Sequence, residues 1–362
     1  MPHLPHRLRR LLIAGFLGSA LFAGTGQTAR AEAQVISREK LTWKLKPSSI
    51  FEKDEKKKNG QPKDLDKQPR MNLSGAACVP TTPKFQSCLI ANDEKNYAQF
   101  FSIKDNTLAP LRLILLSNAD EEMDAEGTAY ADGFFYVTGS HGRSRKKDED
   151  NKSSYTVVRF PVDAASGLPT FQFDGDKVAP QIQVSVPDQL RNAISQGDGS
   201  KNGELLKKAF NKNLKKENGA NVEGIAVRNK RMHLGFRGPP GGFVLSVNAD
   251  AVFNAADKLE PNVNLLGLGN TVGIRDLTAV DAGILVLAGP VNDGTDYAIW
   301  LWDGVSDKAT PLAKLDLAGI NKDGKAEILL PLEEDTSTIR VLVMFDSIEN
   351  GGAVSFRIPR QP

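Results

Sequence analysis

Apolar residues in this chain fall in short runs, alternating with polar positions and separated by turns rich in Gly, Asn and Asp. That is the pattern of half-buried strands. The stretch 221–240, NVEGIAVRNKRMHLGFRGPP, shows the plan most fully. Val222, Ile225 and Val227 form a strand with a Glu-Gly inside it, RNKR is a turn, and a second strand runs into an Arg-Gly-Pro-Pro corner. Four other places repeat the plan. Glu126-Gly127 is followed by a strand at 134–138 and a corner at 139–143, and Arg275-Asp276 by a strand at 284–287 and a corner at 288–293. Glu327 is followed by 340–344 and 345–350, and Ser74-Gly75 by 88–91 and 92–94.

The spacing selects the architecture. From Gly75 to Gly127 is 52 residues, from Gly224 to Asp276 is 52 and from Asp276 to Glu327 is 51, whereas Gly127 to Gly224 is 97. A period near fifty residues built from short strands predicts the blades of a β-propeller. Third strands are expected at 97–103, 155–160, 242–247, 297–302 and 353–358, and fourth strands at 111–116, 181–186 and 312–317. The fold class is therefore all-β, with five four-stranded blades, or six if residues 160–220 hold another. An alternating strand at 41–45 stands alone before the first blade, and the last blade ends at its third strand. The reading is that the N-terminal strand supplies the missing outer strand of the last blade and closes the ring.

The long step carries the helical pattern. Residues 189–194 and 204–214 are expected to be helical, with Leu206, Ala209, Phe210 and Leu214 on one face and a start at Pro187-Asp188. This insertion, 187–220, is expected to pack over one mouth of the ring as a lid or partner surface. Residues 198–204 resemble a calcium loop only superficially and read as a Gly/Asn turn.

Residues 1–31 read as a secretory signal peptide, with a basic start, an apolar run at 11–23 and an Ala29-Arg-Ala31 cleavage site. Residues 32–70 then hold the N-terminal strand and a charged linker, and 71–362 the propeller. Without the leader's Arg7, Arg9, Arg10 and Arg30, the net charge falls from +2 to −2. Near-neutral charge argues against nucleic acid as a partner, and no apolar run of spanning length follows the leader. The expected location is periplasmic or secreted. Cys78 and Cys88 flank a turn in an exported chain, which predicts a disulfide between adjacent strands.

The first strand of each propeller blade lines the central channel, so equivalent residues converge on the axis. The converging set is Ser74, Glu126, Glu223, Arg275 or Asp276, and Glu327, with Asp93, His141, Arg143, Arg237 and Asp346 from the corners. Clustered carboxylates repel unless something positive neutralises them. Calcium, held by Glu126, Glu223, Asp276 and Glu327, is one solution. Arginines 143, 237 and 275 forked onto the glutamates are the other. In a binding propeller, Asp93, Arg143, Arg275 and Asp346 would contact a small anionic ligand or a protein partner at the channel mouth. His141, read as exposed and titrating near neutrality, is the best acid–base candidate. No nucleophile elbow, P-loop, CxxC or HExxH occurs, and Gly267-Leu-Gly269 lacks the strand–helix setting of a dinucleotide site.

DAEGTAY, NVEGIAV with LGFRGPPGG, and GIRDLTAV with LVLAGP and IWLWDG resemble the bacterial domain-of-unknown-function family 3616 (DUF3616) over roughly residues 70–358. The resemblance implies a β-propeller. More distantly, the repeated Glu-Gly strand resembles propeller phytases and the phytase-like esterases. That likeness implies calcium on Glu126, Glu223 and Glu327, with Arg237 and His141 beside a phosphate. It is the basis of the alternative function, a calcium-dependent ester hydrolase. The chain departs from such enzymes in placing Arg275 where an acid would stand.

Overall fold

In the computed structural model, residues 33–46, 50–51, 69–82, 85–144 and 148–360 are described. The leader 1–31 and nearly all of the charged linker lie outside them. Two short N-terminal strands, β1 (Gln34–Ser37) and β2 (Lys44–Leu45), precede five antiparallel blades. The first blade is β3 (Leu73–Thr82), β4 (Phe85–Asn92), β5 (Tyr97–Lys104) and β6 (Thr107–Leu115). The second is β7 (Ala125–Ala131), β8 (Phe134–Gly139), β9 (Val157–Pro161) and β10 (Gln183–Val184). Helices α1 (Gln189–Gln196), α2 (Lys201–Ala209) and α3 (Leu214–Glu217) follow. The third blade is β11 (Asn221–Arg228), β12 (Arg231–Gly238), β13 (Phe243–Asn248) and β14 (Asn262–Leu265). The fourth is β15 (Val272–Val280), β16 (Gly283–Pro290), β17 (Ala298–Trp302) and β18 (Ala309–Asp316). The fifth has three strands, β19 (Lys325–Glu334), β20 (Thr338–Asp346) and β21 (Val354–Pro359). No sixth blade lies in 160–220, which holds β10 and the helices.

Period-two alternation builds the core. Each blade sends one set of side chains into the seam before it and the other set into the seam after it. In β16, Ile284 and Val286 pack toward the third blade, and Leu285 and Leu287 toward the fifth. Five hydrophobic clusters fill the five seams. The innermost strands β3, β7, β11, β15 and β19 touch in succession, and β19 returns to β3 to close the ring.

The N-terminal segment bridges that closure on the outside, but it does not complete the last blade. β1 pairs in parallel with β18 of the fourth blade and β2 in parallel with β6 of the first. Between them Glu39 donates its backbone N–H to Ser355 and bonds the Arg340 guanidinium at 2.7 Å, while Trp43 Nε1 donates to the Ser355 hydroxyl. Ile50 and Phe51 are then fully buried in the seam between the first and fifth blades. The segment thus straps three blades together and covers the exposed edge of β21, a hazard an open sheet must manage.

The expected helix 204–214 is two helices. Ser200 caps α2 by accepting from the Gly203 N–H, the helix ends at Ala209, and Asn211 turns left-handed (φ 58°). Asn213 then caps α3 by accepting from Lys215 and Lys216. Asp188 does precede α1, although its side chain makes no capping bond. Leu190, Ile194, Leu206 and Ala209 pack into the seam between the second and third blades. Asp198 accepts from the Ser200 and Val263 N–H groups with its two carboxylate oxygens, which fits the plain-turn reading of 198–204. Cys78 and Cys88, directly opposite on β3 and β4, are disulfide-bonded. Among the described residues no helix is long and apolar enough to cross a membrane.

Candidate functional site

A β-bulge interrupts every innermost strand at the same place. Pairing with the second strand skips Gly75 in β3, Glu126 in β7, Glu223 in β11, Arg275 in β15 and Glu327 in β19. A bulge inserts an extra residue and re-aims its side chain. The glycine that follows Glu126 and Glu223 has its own cause. A Cβ on Gly224 would lie 2.7 Å from the Leu277 backbone N of the next inner strand, and one on Gly127 3.0 Å from Ile225 N. In the repeated Glu-Gly, glutamate occupies the bulge and glycine admits the neighbouring blade. Gly75 takes the bulge itself, at φ 65°, and a Cβ there would stand 2.5 Å from Gly127 Cα.

The bulges bring Glu126, Glu223 and Glu327 together, with one carboxylate oxygen of each within 4.8 Å of the others. All three are buried, as are Arg275 and Arg237. Arg237 donates from Nη1 to Glu223 Oε1 (3.0 Å) and from Nε to the Val291 carbonyl (2.7 Å). Arg275 Nη2 bonds Glu327 Oε1 and lies 3.6 Å from Glu223 Oε2. Ser74 donates its hydroxyl to Glu126 Oε2 at 2.9 Å. Burial would favour a neutral Arg275, but Glu223 and Glu327 outweigh it and hold its proton more tightly than usual. Burial, reinforced by Glu223, raises the Glu126 pKa well above its ordinary value of 4.5. Burial likewise raises Glu327, against the pull of Arg275. Three carboxylates with two guanidiniums leave one negative charge among the five, and the raised Glu126 pKa favours taking up a proton there. Arg–Glu pairs plug this end of the channel.

The other predicted residues divide. Asp346 sits at the corner of the fifth blade, paired with Lys325 Nζ at 2.9 Å, and its charge raises Glu327. Asp93 lies close enough for its charge to raise Glu126. Asp276 does not face the axis: its oxygens accept the N–H groups of Leu277 and of Leu329, both at 2.8 Å, tying the fourth blade to the fifth. Burial raises its pKa despite those two bonds. Arg143 turns away from the channel to Asp148 (3.2 Å), Asp150 (3.3 Å) and Asn211 (3.2 Å). His141 is not exposed: it is 1% accessible, with φ 51°, and neither ring nitrogen has a hydrogen-bond partner. Burial, with Arg191 nearby, pushes it down to about 3, so it stays neutral through the physiological range.

Beyond the plug the channel opens into a cavity of about 490 Å³ walled by all five inner strands. Thr128, Tyr130, Arg228 and Thr278 line it, and Asp281, Glu333 and Glu334 stand at its rim. The sequence reading missed these residues. They lie past the bulges on β7, β11, β15 and β19 or just beyond them, at no fixed offset from the repeated Glu-Gly, so the repeat did not mark them.

Among solved structures, the PQQ-bound aldose sugar dehydrogenase of Streptomyces coelicolor is similar at 12% identity, with 80% of this chain and 94% of that chain covered and a TM-score of 0.40. The xyloglucan-locus GH43B of Bacteroides ovatus (11% identity, 80% and 53% covered, TM-score 0.38) and the Trypanosoma rangeli sialidase (8%, 80% and 55%, 0.39) are also similar. No curated protein matches the sequence. The profile of a family described as "Protein of unknown function (DUF3616)" matches residues 87–161 and 201–354. With that match spanning most of the chain, the protein belongs to the DUF3616 family.

Proposed function

We propose that this protein is an exported binding propeller that takes a small ligand into the open half of its channel, with the charged half serving to hold the blades together. The observation that carries the reading is the division of the channel. Arg–Glu pairs fill one end, and a cavity of about 490 Å³, within the usual size of ligand sites, occupies the other. An anionic ligand at the plug is disfavoured, because Arg237 and Arg275 already bond carboxylates there and Arg143 is engaged elsewhere. At the open rim Glu333 pairs with Arg340 and Arg357, Glu334 pairs with Arg360, and Arg228 lies beside Asp281, so a neutral polar ligand suits it better. Export is supported by the leader pattern and by the disulfide.

The calcium-dependent hydrolase reading rests on the three convergent glutamates. Their surroundings do not fit the ion. A divalent cation would leave the five-residue cluster at +1, and Arg275 already bridges two of the three carboxylates. The test is a thermal-shift screen of small polar metabolites against the wild type and Thr278→Trp, which fills the cavity. A ligand at a hundredfold its Kd stabilises by about 2.7 kcal/mol, and that shift should vanish in T278W. Hits that survive T278W would sink the channel reading. A melting temperature that falls with EDTA and recovers with calcium would restore the metal reading.

A further inference from the structure

A second, larger cavity of about 690 Å³ lies on the flank of the fourth blade. It is bounded by the ends of β16, β17 and β18 and by the crossover 317–324, and Val35 of β1 stands at its edge. The binding role proposed for the channel does not use it.

Two aromatic rings belong to it. Tyr297 is almost wholly buried and packs over Gly289, where an added Cβ would meet its ring at 2.4 Å and Arg275 Cγ at 2.9 Å. Trp300 is only half-buried, whereas Trp302, two residues on, is fully enclosed. Leu317, Ile320 and Val272 extend the apolar wall. The polar lining is dense and mixed. Asp296 and Asp316 supply two carboxylates, Lys314 and Lys322 two ammonium groups, and Asn321 and Thr295 an amide and a hydroxyl.

This composition restricts the ligand. Two acids against two lysines give no net charge with which to select an ion. A purely apolar molecule would strip water from these polar groups and give nothing back, at a cost for each. The complement is an uncharged molecule with an apolar face for the aromatic rings and a rim of groups that both donate and accept. A sugar ring has that form, with C–H bonds on its faces and hydroxyls around its edge. We propose that the cavity is a binding site for a neutral saccharide, seated against Trp300 and hydrogen-bonded by the Asp, Lys and Asn side chains around it.

The chain has three tryptophans, and Trp300 is the one that lines this cavity, so intrinsic fluorescence reports on the site. Trisaccharides of glucose, xylose and N-acetylglucosamine would be titrated separately, by fluorescence and by calorimetry. At least one should bind saturably and alter the emission. Trp300→Ala should weaken it roughly tenfold, the scale of one aromatic contact. Asn321→Ala, an exposed substitution that leaves the core intact, should weaken it too, and Tyr130→Phe in the channel should not. If no trisaccharide binds, or if binding persists undiminished in both cavity variants, the proposal is overturned.

Discussion

Arg275→Met tests whether the plug is held by charge. The guanidinium is 1% accessible and serves both Glu327 and Glu223. Methionine fills much of the volume and removes the charge with its hydrogen-bond donors. Glu223 keeps Arg237 at 3.0 Å, but Glu327 keeps no guanidinium and must either remain a buried anion or take up a proton. Removing one partner of a buried pair costs about 3–5 kcal/mol. At roughly 2–4 °C per kcal/mol for a large domain, the melting temperature should fall by about 10 °C. The double variant R275M/E327Q removes the orphaned charge as well and should recover most of the loss, giving a coupling of at least about 1 kcal/mol. Urea unfolding followed by circular dichroism at pH 7.5 measures all three proteins. The pH dependence has a definite sign. Without Arg275, the folded-state pKa of Glu327 rises further above its ordinary value of 4.5. The variant should therefore be least destabilised near pH 4.5 and lose stability as pH climbs toward the raised value. An R275M protein within about 1 kcal/mol of the wild type, or a double variant whose losses simply add, would refute the plug.

Glu126→Gln mimics the protonated acid. Because burial raises the Glu126 pKa in the folded state, its contribution is present below pH 4.5 and lost as pH rises. Melting curves from pH 5 to 9 should slope less in E126Q than in the wild type, and at pH 8 the variant should be at least as stable. Gly75→Ala meets a left-handed backbone and Gly127 Cα at 2.5 Å. The conformation alone costs about 1–2 kcal/mol, and the clash adds to it, so denaturant midpoints should drop well beyond those of Gly133→Ala, which shares the left-handed backbone but has open space for a Cβ. Cys78 and Cys88 close a loop of ten residues, so the C78S/C88S protein should lose about 2–3 kcal/mol on the chain-entropy scale, read as a lower urea midpoint under non-reducing conditions. Glu39→Gln removes the carboxylate that Arg340 and Arg357 share. It should speed proteolysis of the strap while leaving the melting of the blades nearly unchanged.

What could be read from the sequence was what repeats. The Glu-Gly period gave the blades and the convergence of Glu126, Glu223 and Glu327, because a propeller's symmetry turns an interval of about fifty residues into a shared position around an axis. What resisted was set by single events outside the period. β1 is four residues long and pairs with a strand 279 positions away, and no local pattern marks such a partner. The helix 204–214 had the right apolar spacing, yet it breaks because Asn211 turns left-handed and Asn213 caps a new start. His141 looked exposed beside glycines and is buried, its carbonyl held by Arg191 of α1, an element the repeat does not contain. Arg275 marks the boundary between the two kinds of information. Its neighbour Asp276 fitted the acidic pattern better, and only the bulge, which skips Arg275 in the pairing of β15 with β16, decides which of them faces the axis. A one-residue slip sends adjacent side chains to opposite faces. The same slip changes the chemistry of the channel: aspartate there would make four carboxylates with only Arg237 among them, whereas Arg275 bridges Glu223 and Glu327.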